Sequence, residues 1–239
     1  MSKKKIGLLL LVVSAMALML VPTASANHGA RTYQVTITNG TDGQPMTPPL
    51  ASTHKKNADV FDAGEQATFE VQQIAENGNL DAAVAERGSN SGVSDFVVAV
   101  PDPENPGPLF PGETIAFKIT ADGGAKYFSF VAMLVCTNDG FTGVDSVKLP
   151  KKVGDAYTAA LDAYDAGTEA NTENRSDLVP PCAGGAPGTG ESNPNLAQMG
   201  VITHHGGITG TGSLGLFGNL DPVIRDWTDV GTITIERTN

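Results

Sequence analysis

The sequence is poor in positive charge and in aromatic residues. Fifteen lysines and arginines stand against 26 aspartates and glutamates, which gives a formal net charge of −11. A nucleic-acid binder needs a basic surface, and so does a protein that adheres to an anionic membrane by charge, so both classes are disfavoured. Aromatic residues make up 6% of the chain, whereas glycine (28) and proline (15) are abundant. This composition is typical of short strands joined by many turns.

Long apolar runs are absent beyond the N-terminus. Residues 6–21 form the one such run, which follows lysines at positions 3–5 and ends before Pro22 and an Ala24-Ser25-Ala26 cleavage motif. These features predict a signal peptide over residues 1–26. An uncleaved anchor is the alternative, but the run has roughly 16 residues where a spanning helix needs about 20. We therefore expect a secreted protein, or a periplasmic or cell-envelope protein if the host has an outer membrane, with no transmembrane segment in the mature chain.

Cysteine is also scarce, because the chain has only Cys136 and Cys182. In an oxidising compartment such a pair predicts a disulfide bond. A closed loop of this length would contribute about 4 kcal/mol in the chain-entropy model. A thiol nucleophile is the alternative, but no histidine lies near either cysteine in the sequence.

Hydrophobic alternation with a period of two predicts an all-β fold. The predicted helix is short, spans residues 80–86 with Asn79 as its cap, and is closed by Gly88. Eight or so strands with little helix indicate an antiparallel β-sandwich. We expect one domain over residues 27–239 whose terminal strands pair or lie side by side. The predicted strands cover residues 33–38, 67–71, 96–100, 113–120, 128–136, 144–149, 156–161 and 230–235.

Oxygen-bearing side chains are concentrated at two places near the cysteines. Asp139 follows the most apolar predicted strand, and Asp162, Asp165 and Glu169 lie in a second acidic stretch. Carboxylates on glycine-containing loops suit calcium, a hard cation that prefers oxygen ligands. A solvated acidic turn is the alternative interpretation of the same residues.

Two ordered motifs carry a resemblance to a known family. Residues 129–146 read SFVAMLVCTNDGFTGVDS, and residues 164–169 read YDAGTE. This pair resembles the spondin N-terminal domain, which has an SMxxPSPDWFxG stretch followed by a WDAGTDSG stretch at similar separation. The resemblance extends over nearly the whole mature chain, since its first and last predicted strands also fit that domain.

The resemblance implies an eight-stranded β-sandwich similar to calcium-dependent lipid-binding domains, with calcium bound at one end. The metal ligands it implies are Asp139, Asp165 and Glu169, where glutamate replaces the family's aspartate. The aromatic residue beside the first ligand is lost, because Gly140 follows Asp139. The family's cysteine-rich stretch is also absent, and we expect a bond between Cys136 and Cys182 to clamp the loop before Asp139.

Other candidate sites give weaker signals. His204 and His205 could ligate a transition metal, but adjacent loop histidines point in different directions and are more simply surface residues. The glycine-rich residues 210–218 lack the lysine of a phosphate-binding loop, and no G-x-S-x-G motif is present. Trp227 is interpreted as a packing residue.

Together these observations predict a secreted, calcium-binding, non-catalytic adhesion or matrix-interaction module. Its partner would be an extracellular or cell-surface macromolecule of unknown identity. The alternative is an exported hydrolase or small-ligand-binding protein that uses the loop-like residues 169–221 as a lid.

Overall fold

A computed structural model describes residues 29–104, 106–180, 182, 193–209 and 229–239. The predicted signal peptide, the glycine-rich residues 210–218 and Trp227 lie outside them. The described part contains two α-helices, α1 (Phe69–Asn77) and α2 (Asp81–Ser89), and a short 3-10 helix over Arg175–Asp177. Its ten strands are β1 (Arg31–Asn39), β2 (Leu50–His54), β3 (Val93–Val98), β4 (Thr114–Ala121), β5 (Tyr127–Met133), β6 (Gly140–Lys148), β7 (Ala156–Leu161), β8 (Ala163–Asp165), β9 (Thr203–His204) and β10 (Gly231–Arg237).

Four strands form the first antiparallel sheet, in the order β4-β1-β10-β7. Strand β1 lies between β4 and β10, so that Val35 faces Phe117 on one side and Ile235 on the other. Alternate residues of β1 are buried, which is the pattern that predicted this strand. The pairing of β1 with β10 confirms that the two terminal strands are neighbours.

Six strands form the second antiparallel sheet, in the order β3-β2-β5-β6-β8-β9. The two sheets pack face to face around a core that includes Tyr33, Ile37, Phe128 and Phe130, all fully buried. The architecture confirms the predicted all-β sandwich. The predicted strands after residue 90 overlap β3, β4, β5, β6, β7 and β10, although β5 ends at Met133 and not at Cys136.

The outer face of the second sheet is covered by the two helices. Helix α1 buries Val71, Ile74 and Ala75 against this face, where they join a second core with Phe141. This spacing of three and four residues marks one side of a helix. The described helices are all too short, or too polar, to cross a membrane.

The predicted strand over residues 67–71 is wrong, because this segment begins α1. Thr68 caps the helix by accepting a hydrogen bond from Val71 N at 3.3 Å, and Gly78 ends it in the left-handed conformation with φ 64°. These two signals define a helix. An alternation over five residues is too short to distinguish the period of a strand from that of a helix.

The predicted helix over residues 80–86 corresponds to α2. The N-cap is Leu80 and not Asn79 as predicted, but Asn79 Oδ1 still accepts a hydrogen bond from Asp81 N at 2.9 Å. Gly88 does not end the helix, which continues to Ser89.

Strand β2 was not predicted, although all five of its residues are buried. It lies between β3 and β5, so both faces and both edges are covered. Ser52, Thr53 and His54 gave no alternation of apolar and polar residues. The strand is held by pairing on both sides and by hydrogen bonds of its polar side chains, such as the one between His54 Nε2 and Ser129 Oγ at 2.7 Å.

Candidate functional site

Asp139 lies in the short turn between β5 and β6, at one end of the sandwich. Thr137 Oγ1 fixes this turn by donating to Leu134 O at 2.6 Å and accepting from Gly140 N at 2.8 Å. Gln44 holds the strand end before it, because its side-chain amide bonds both Cys136 N (2.8 Å) and Cys136 O (3.1 Å). These hydrogen bonds define the backbone path of the turn that carries Asp139.

The predicted disulfide between Cys136 and Cys182 is confirmed, with the two Cα atoms 5.3 Å apart. It joins the strand end just before Asp139 to the chain beyond Glu169. Both cysteines are buried at the edge of the core between the sheets. The bond therefore ties together the two segments that carry the predicted metal ligands.

Asp139 is fully buried, and its two carboxylate oxygens have different surroundings. Oδ2 accepts hydrogen bonds from Thr168 N (2.7 Å), Thr168 Oγ1 (3.2 Å) and Glu169 N (3.0 Å). Oδ1 is buried and has no hydrogen-bond partner. Burial, together with the charge of Asp165, raises the pKa of Asp139 to about 6. The site thus contains a carboxylate oxygen that lacks a partner.

The second acidic stretch is shaped by a glycine. Gly167 has φ 70°, and a Cβ atom there would lie 2.7 Å from Val201 O, so both the conformation and the close approach require glycine. Its N–H donates to Asp165 Oδ1 at 2.7 Å. This turn brings Thr168 N and Glu169 N onto Asp139.

Asp165 is the last residue of β8 and is half-buried. Besides Gly167 N, its carboxylate accepts a hydrogen bond from Asn171 Nδ2 at Oδ2. Strand β8 pairs with β6 such that Asp165 faces Gly140, the residue directly after Asp139. The pairing therefore explains why the charges of Asp139 and Asp165 act on each other.

Glu169 is 4% exposed, and its Oε1 accepts a hydrogen bond from Asn193 N at 2.6 Å. Burial raises its pKa to about 7; the Asn193 N–H opposes this rise, and the charges of Glu76, Asp139 and Asp177 add to it. Glu169 is linked to Asp139 through its backbone N–H, and its carboxylate is directed to a different group of neighbours.

The structure therefore brings the three predicted ligand residues to one end of the sandwich. We refer to Asp139, Asp165 and Glu169 as the carboxylate cluster. Within the described ranges, no three or more His, Cys, Asp or Glu side chains are grouped closely enough to hold a metal ion. Asp139 and Asp165 form the closer pair within the cluster, as their electrostatic interaction indicates.

Aromatic side chains pack around Tyr164, the residue before Asp165. Tyr164, which precedes Asp165, stacks on Phe141 with ring centroids 5.3 Å apart, and Phe61 meets both rings edge-on at 5.0 and 5.1 Å. Offset and edge-on arrangements of this kind stabilise packing. They fix the direction of β8, and hence the position of Asp165.

The prediction that both histidines are surface residues is wrong for His205. His204 belongs to β9 and is exposed, but His205 is 5% exposed and its Nδ1 accepts a hydrogen bond from Gly207 N at 3.0 Å. Burial lowers the pKa of His205. His205 lies directly after β9, whose two residues are both exposed.

Sequence reasoning missed Glu76 as a residue near the cluster. Glu76 lies on α1, is 4% exposed, and acts electrostatically on Glu169. Its place in a helix could not be predicted while the start of α1 was interpreted as a strand.

The Spondin_N family model matches residues 43–186, a range that includes all three residues of the carboxylate cluster and both cysteines. A search of curated proteins found no significant match. The matched range covers more than half of the chain and includes both motifs of the resemblance. The chain therefore belongs to the spondin N-terminal domain family.

Proposed function

We propose that this protein is an extracellular, non-catalytic adhesion or matrix-interaction module whose loops at one end are ordered by calcium. Membership of the spondin N-terminal domain family suggests an adhesion-type module. The disulfide between Cys136 and Cys182 is in keeping with an oxidising compartment outside the cytoplasm.

The calcium part of the proposal rests on one atom, Asp139 Oδ1. Asp139 Oδ1 is buried and has no hydrogen-bond partner, although buried polar atoms nearly always have one. A cation supplies what this oxygen lacks, and it relieves the repulsion between Asp139 and Asp165 that helps raise the pKa of Asp139.

The unpartnered Asp139 Oδ1 and the nearby charge of Asp165 suit a hard cation by their chemistry. Asp139 Oδ1 and the carboxylate of Asp165 would hold it, and Glu169 would complete the charge of the site. Calcium, when bound, supplies positive charge that balances these carboxylates. The chain itself orients Asp139 through three donors to Oδ2, so Oδ1 is left to face a ligand.

An ion in the carboxylate cluster would influence adhesion by ordering the loops that carry its ligands. Asp139 lies on the turn between β5 and β6, whereas Asp165 and Glu169 border the turn around Gly167. An ion held between these turns would fix the surface that they form. A partner that binds this surface would then depend on calcium.

The alternative of an exported hydrolase needs an accessible nucleophile, and among the described residues Ser129 lies beside a histidine. Ser129 Oγ lies 2.7 Å from His54 Nε2, but both residues are fully buried. Ser129 Oγ also donates to Asp145 Oδ1 at 2.9 Å and accepts from Ser146 N at 2.8 Å, so it is bound on every side. A nucleophile must reach its substrate and be free to attack, and Ser129 meets neither requirement.

Thermal unfolding tests the proposal. Millimolar calcium should raise the melting temperature of the mature protein, and a chelator should reverse the rise. Asp139→Asn and Asp165→Asn should remove the calcium response. Asp102→Asn, a change of an exposed aspartate outside the cluster, is the control and should leave it intact.

Two results would contradict the proposal. One is a melting temperature that calcium does not change. The other is a calcium response that persists in both Asp139→Asn and Asp165→Asn, since the ion would then be bound elsewhere.

A further inference from the structure

A cavity lies between the two helices and the outer face of the second sheet. Its volume is about 160 Å³, and none of the residues that line it belongs to the carboxylate cluster. Buried apolar side chains from α1, α2, β2 and β5 line it, namely Leu50, Val71, Ile74, Ala83 and Val131. An apolar cavity of about 150 Å³ in a protein interior binds benzene. This cavity can therefore hold a molecule of similar size.

The Ser52 hydroxyl lines the same cavity. Ser52 is 1% exposed and lies on the same face of β2 as Leu50, two residues earlier. Its Oγ is buried and has no hydrogen-bond partner among the described residues. Ser129 faces it on β5, but the Oγ of Ser129 is already bound to three other groups. Because a buried hydroxyl without a partner is costly, Ser52 Oγ indicates a hydrogen bond to a molecule in the cavity.

Arg87 forms the wall of the cavity where α2 meets the loop after β2. The residue is 8% exposed, and its guanidinium donates to Ala58 O at 2.7 Å from Nη1 and to Asp59 O at 3.3 Å from Nη2. Its Nε donates to the carboxylate of Glu86, with which it forms an ion pair. These contacts join α2 to the loop, and they use Arg87 as a structural residue whose charge is already balanced.

The charges around the cavity indicate a neutral ligand. Arg87 supplies the positive charge of the lining and is paired with Glu86, whereas Asp59 and Glu70 add two further carboxylates. An anion would therefore be repelled. Asp59 is exposed and Glu70 is partly exposed, so these carboxylates lie towards the solvent. A cation would have to leave water for aliphatic side chains and one hydroxyl, and the loss of its hydration is too costly for that exchange.

We propose that this cavity binds a neutral, compact molecule that has an apolar body of about six non-hydrogen atoms and one hydroxyl group. The hydroxyl would form a hydrogen bond with Ser52 Oγ, and the apolar body would lie against Leu50, Ile74 and Val131. Simple phenols and cyclic alcohols belong to this class. The inference goes beyond the proposed function and does not depend on calcium, because no residue of the carboxylate cluster lines the cavity.

A titration of the mature protein with phenol, followed by two-dimensional NMR, tests the site. Phenol should shift the backbone amide signals of the residues that line the cavity. Benzene has the same apolar body without the hydroxyl, so a parallel titration separates the contribution of the hydrogen bond from that of apolar contact.

Ser52→Ala is the variant that tests the hydrogen bond. It should weaken phenol binding about fivefold, as expected when one neutral hydrogen bond is lost, and it should leave benzene binding unchanged or slightly tighter. The ratio of phenol affinity to benzene affinity should therefore fall about fivefold. Ser91→Ala makes the same change at an exposed serine outside the lining, and it should keep the ratio of the wild type.

Three results would overturn the inference. Phenol could leave the signals of the lining residues unchanged, or it could shift only signals from other parts of the chain. The wild type alone gives both of these results, so they decide the question even if Ser52→Ala does not fold. The third is a ratio of affinities that is the same in Ser52→Ala as in the wild type. A failure of the calcium response in thermal unfolding would contradict the proposed function and leave the phenol result unaffected.

Discussion

Two buried polar regions of this protein differ in how fully the chain satisfies them. In the His54–Ser129–Asp145 network, both ring nitrogens of His54 have partners, at 2.8 Å to Lys55 O and 2.7 Å to Ser129 Oγ, and Ser129 Oγ has three. In the carboxylate cluster, Asp139 Oδ1 has none. The first region is complete and acts as structure. The second contains a buried carboxylate oxygen without a hydrogen-bond partner, and the proposed cation site rests on that oxygen.

Charge distinguishes the regions in the same way. Asp145 in the network accepts hydrogen bonds from Val60 N (2.7 Å) and from Ser129 Oγ (2.9 Å), and the resulting chain of contacts joins β2, β5 and β6. The pKa of His54 is lowered by burial, while the Lys55 carbonyl and the charge of Asp145 oppose this change. In the cluster the neighbouring charges are all acidic, and the pKa values of Asp139 and Glu169 are raised to about 6 and about 7.

Removal of the disulfide should have the largest effect on stability. It should disturb the carboxylate cluster more than the His54–Ser129–Asp145 network. The double variant Cys136→Ala/Cys182→Ala should lower the free energy of unfolding by about 4 kcal/mol, because a long loop is no longer closed in the unfolded chain. Calcium binding should weaken as well, because the turn before Asp139 is no longer cross-linked to Cys182. Urea unfolding and calcium titration measure both effects. Unchanged calcium affinity would show that the disulfide has no part in the site.

A pair of serine variants tests whether the network is complete. Ser129→Ala should lower the free energy of unfolding by about 3 kcal/mol or more, because His54, Asp145 and Ser146 N each lose a partner. Ser52 faces Ser129 on the neighbouring strand, yet its Oγ is buried and has no partner. Ser52→Ala should therefore change stability by less than about 0.5 kcal/mol or increase it. Equal losses in urea unfolding would contradict the distinction.

Stability without calcium should depend on pH through the cluster. The pKa values of Asp139 and Glu169 are raised in the folded chain above their ordinary values, so the folded state takes up protons first as pH falls. Without calcium, stability should therefore rise as pH falls from about 8 towards 4, by up to about 3 kcal/mol from Asp139 alone. Below about pH 4 the unfolded chain also takes up these protons, and the gain ends.

The control for this prediction is Asp139→Asn/Glu169→Gln, since burial lowers the pKa values of His54 and His205 and these histidines also make stability depend on pH. The difference between wild type and this variant isolates the two carboxyl groups. In the presence of a chelator, the free energy of unfolding of the wild type should rise relative to that of the variant as pH falls. With saturating calcium, the wild type should instead lose stability as pH falls, because protons compete with the ion. A difference that does not change with pH in chelator would contradict the assigned causes.

The sequence predicted those elements whose own residues carry the pattern. Strands β1, β7 and β10 alternate because one face of the first sheet is buried, and each was found within two residues. Helix α1 was missed because its apolar residues, Val71 and Ile74, mark a helix only over a window longer than the one that predicted a strand. Strand β2 was missed because its buried side chains are polar, and their partners lie on distant strands.

The site was predictable in part for a similar reason. Asp139, Asp165 and Glu169 were found through two family motifs, and their approach is a consequence of strand pairing between β6 and β8. The two oxygens of Asp139 differ in their partners, and no motif contains this information. The difference depends on backbone donors that lie 29 and 30 residues away in the chain. Glu76 was likewise not predicted, because its electrostatic effect on Glu169 depends on where α1 packs.

A crystal structure of the mature protein grown with calcium is the most direct test of the account. We expect an ion bound by Asp139 Oδ1 and Asp165, with calcium–oxygen distances of about 2.3–2.6 Å. Electron density at saturating calcium that shows no ion in contact with Asp139 Oδ1 would contradict the central claim.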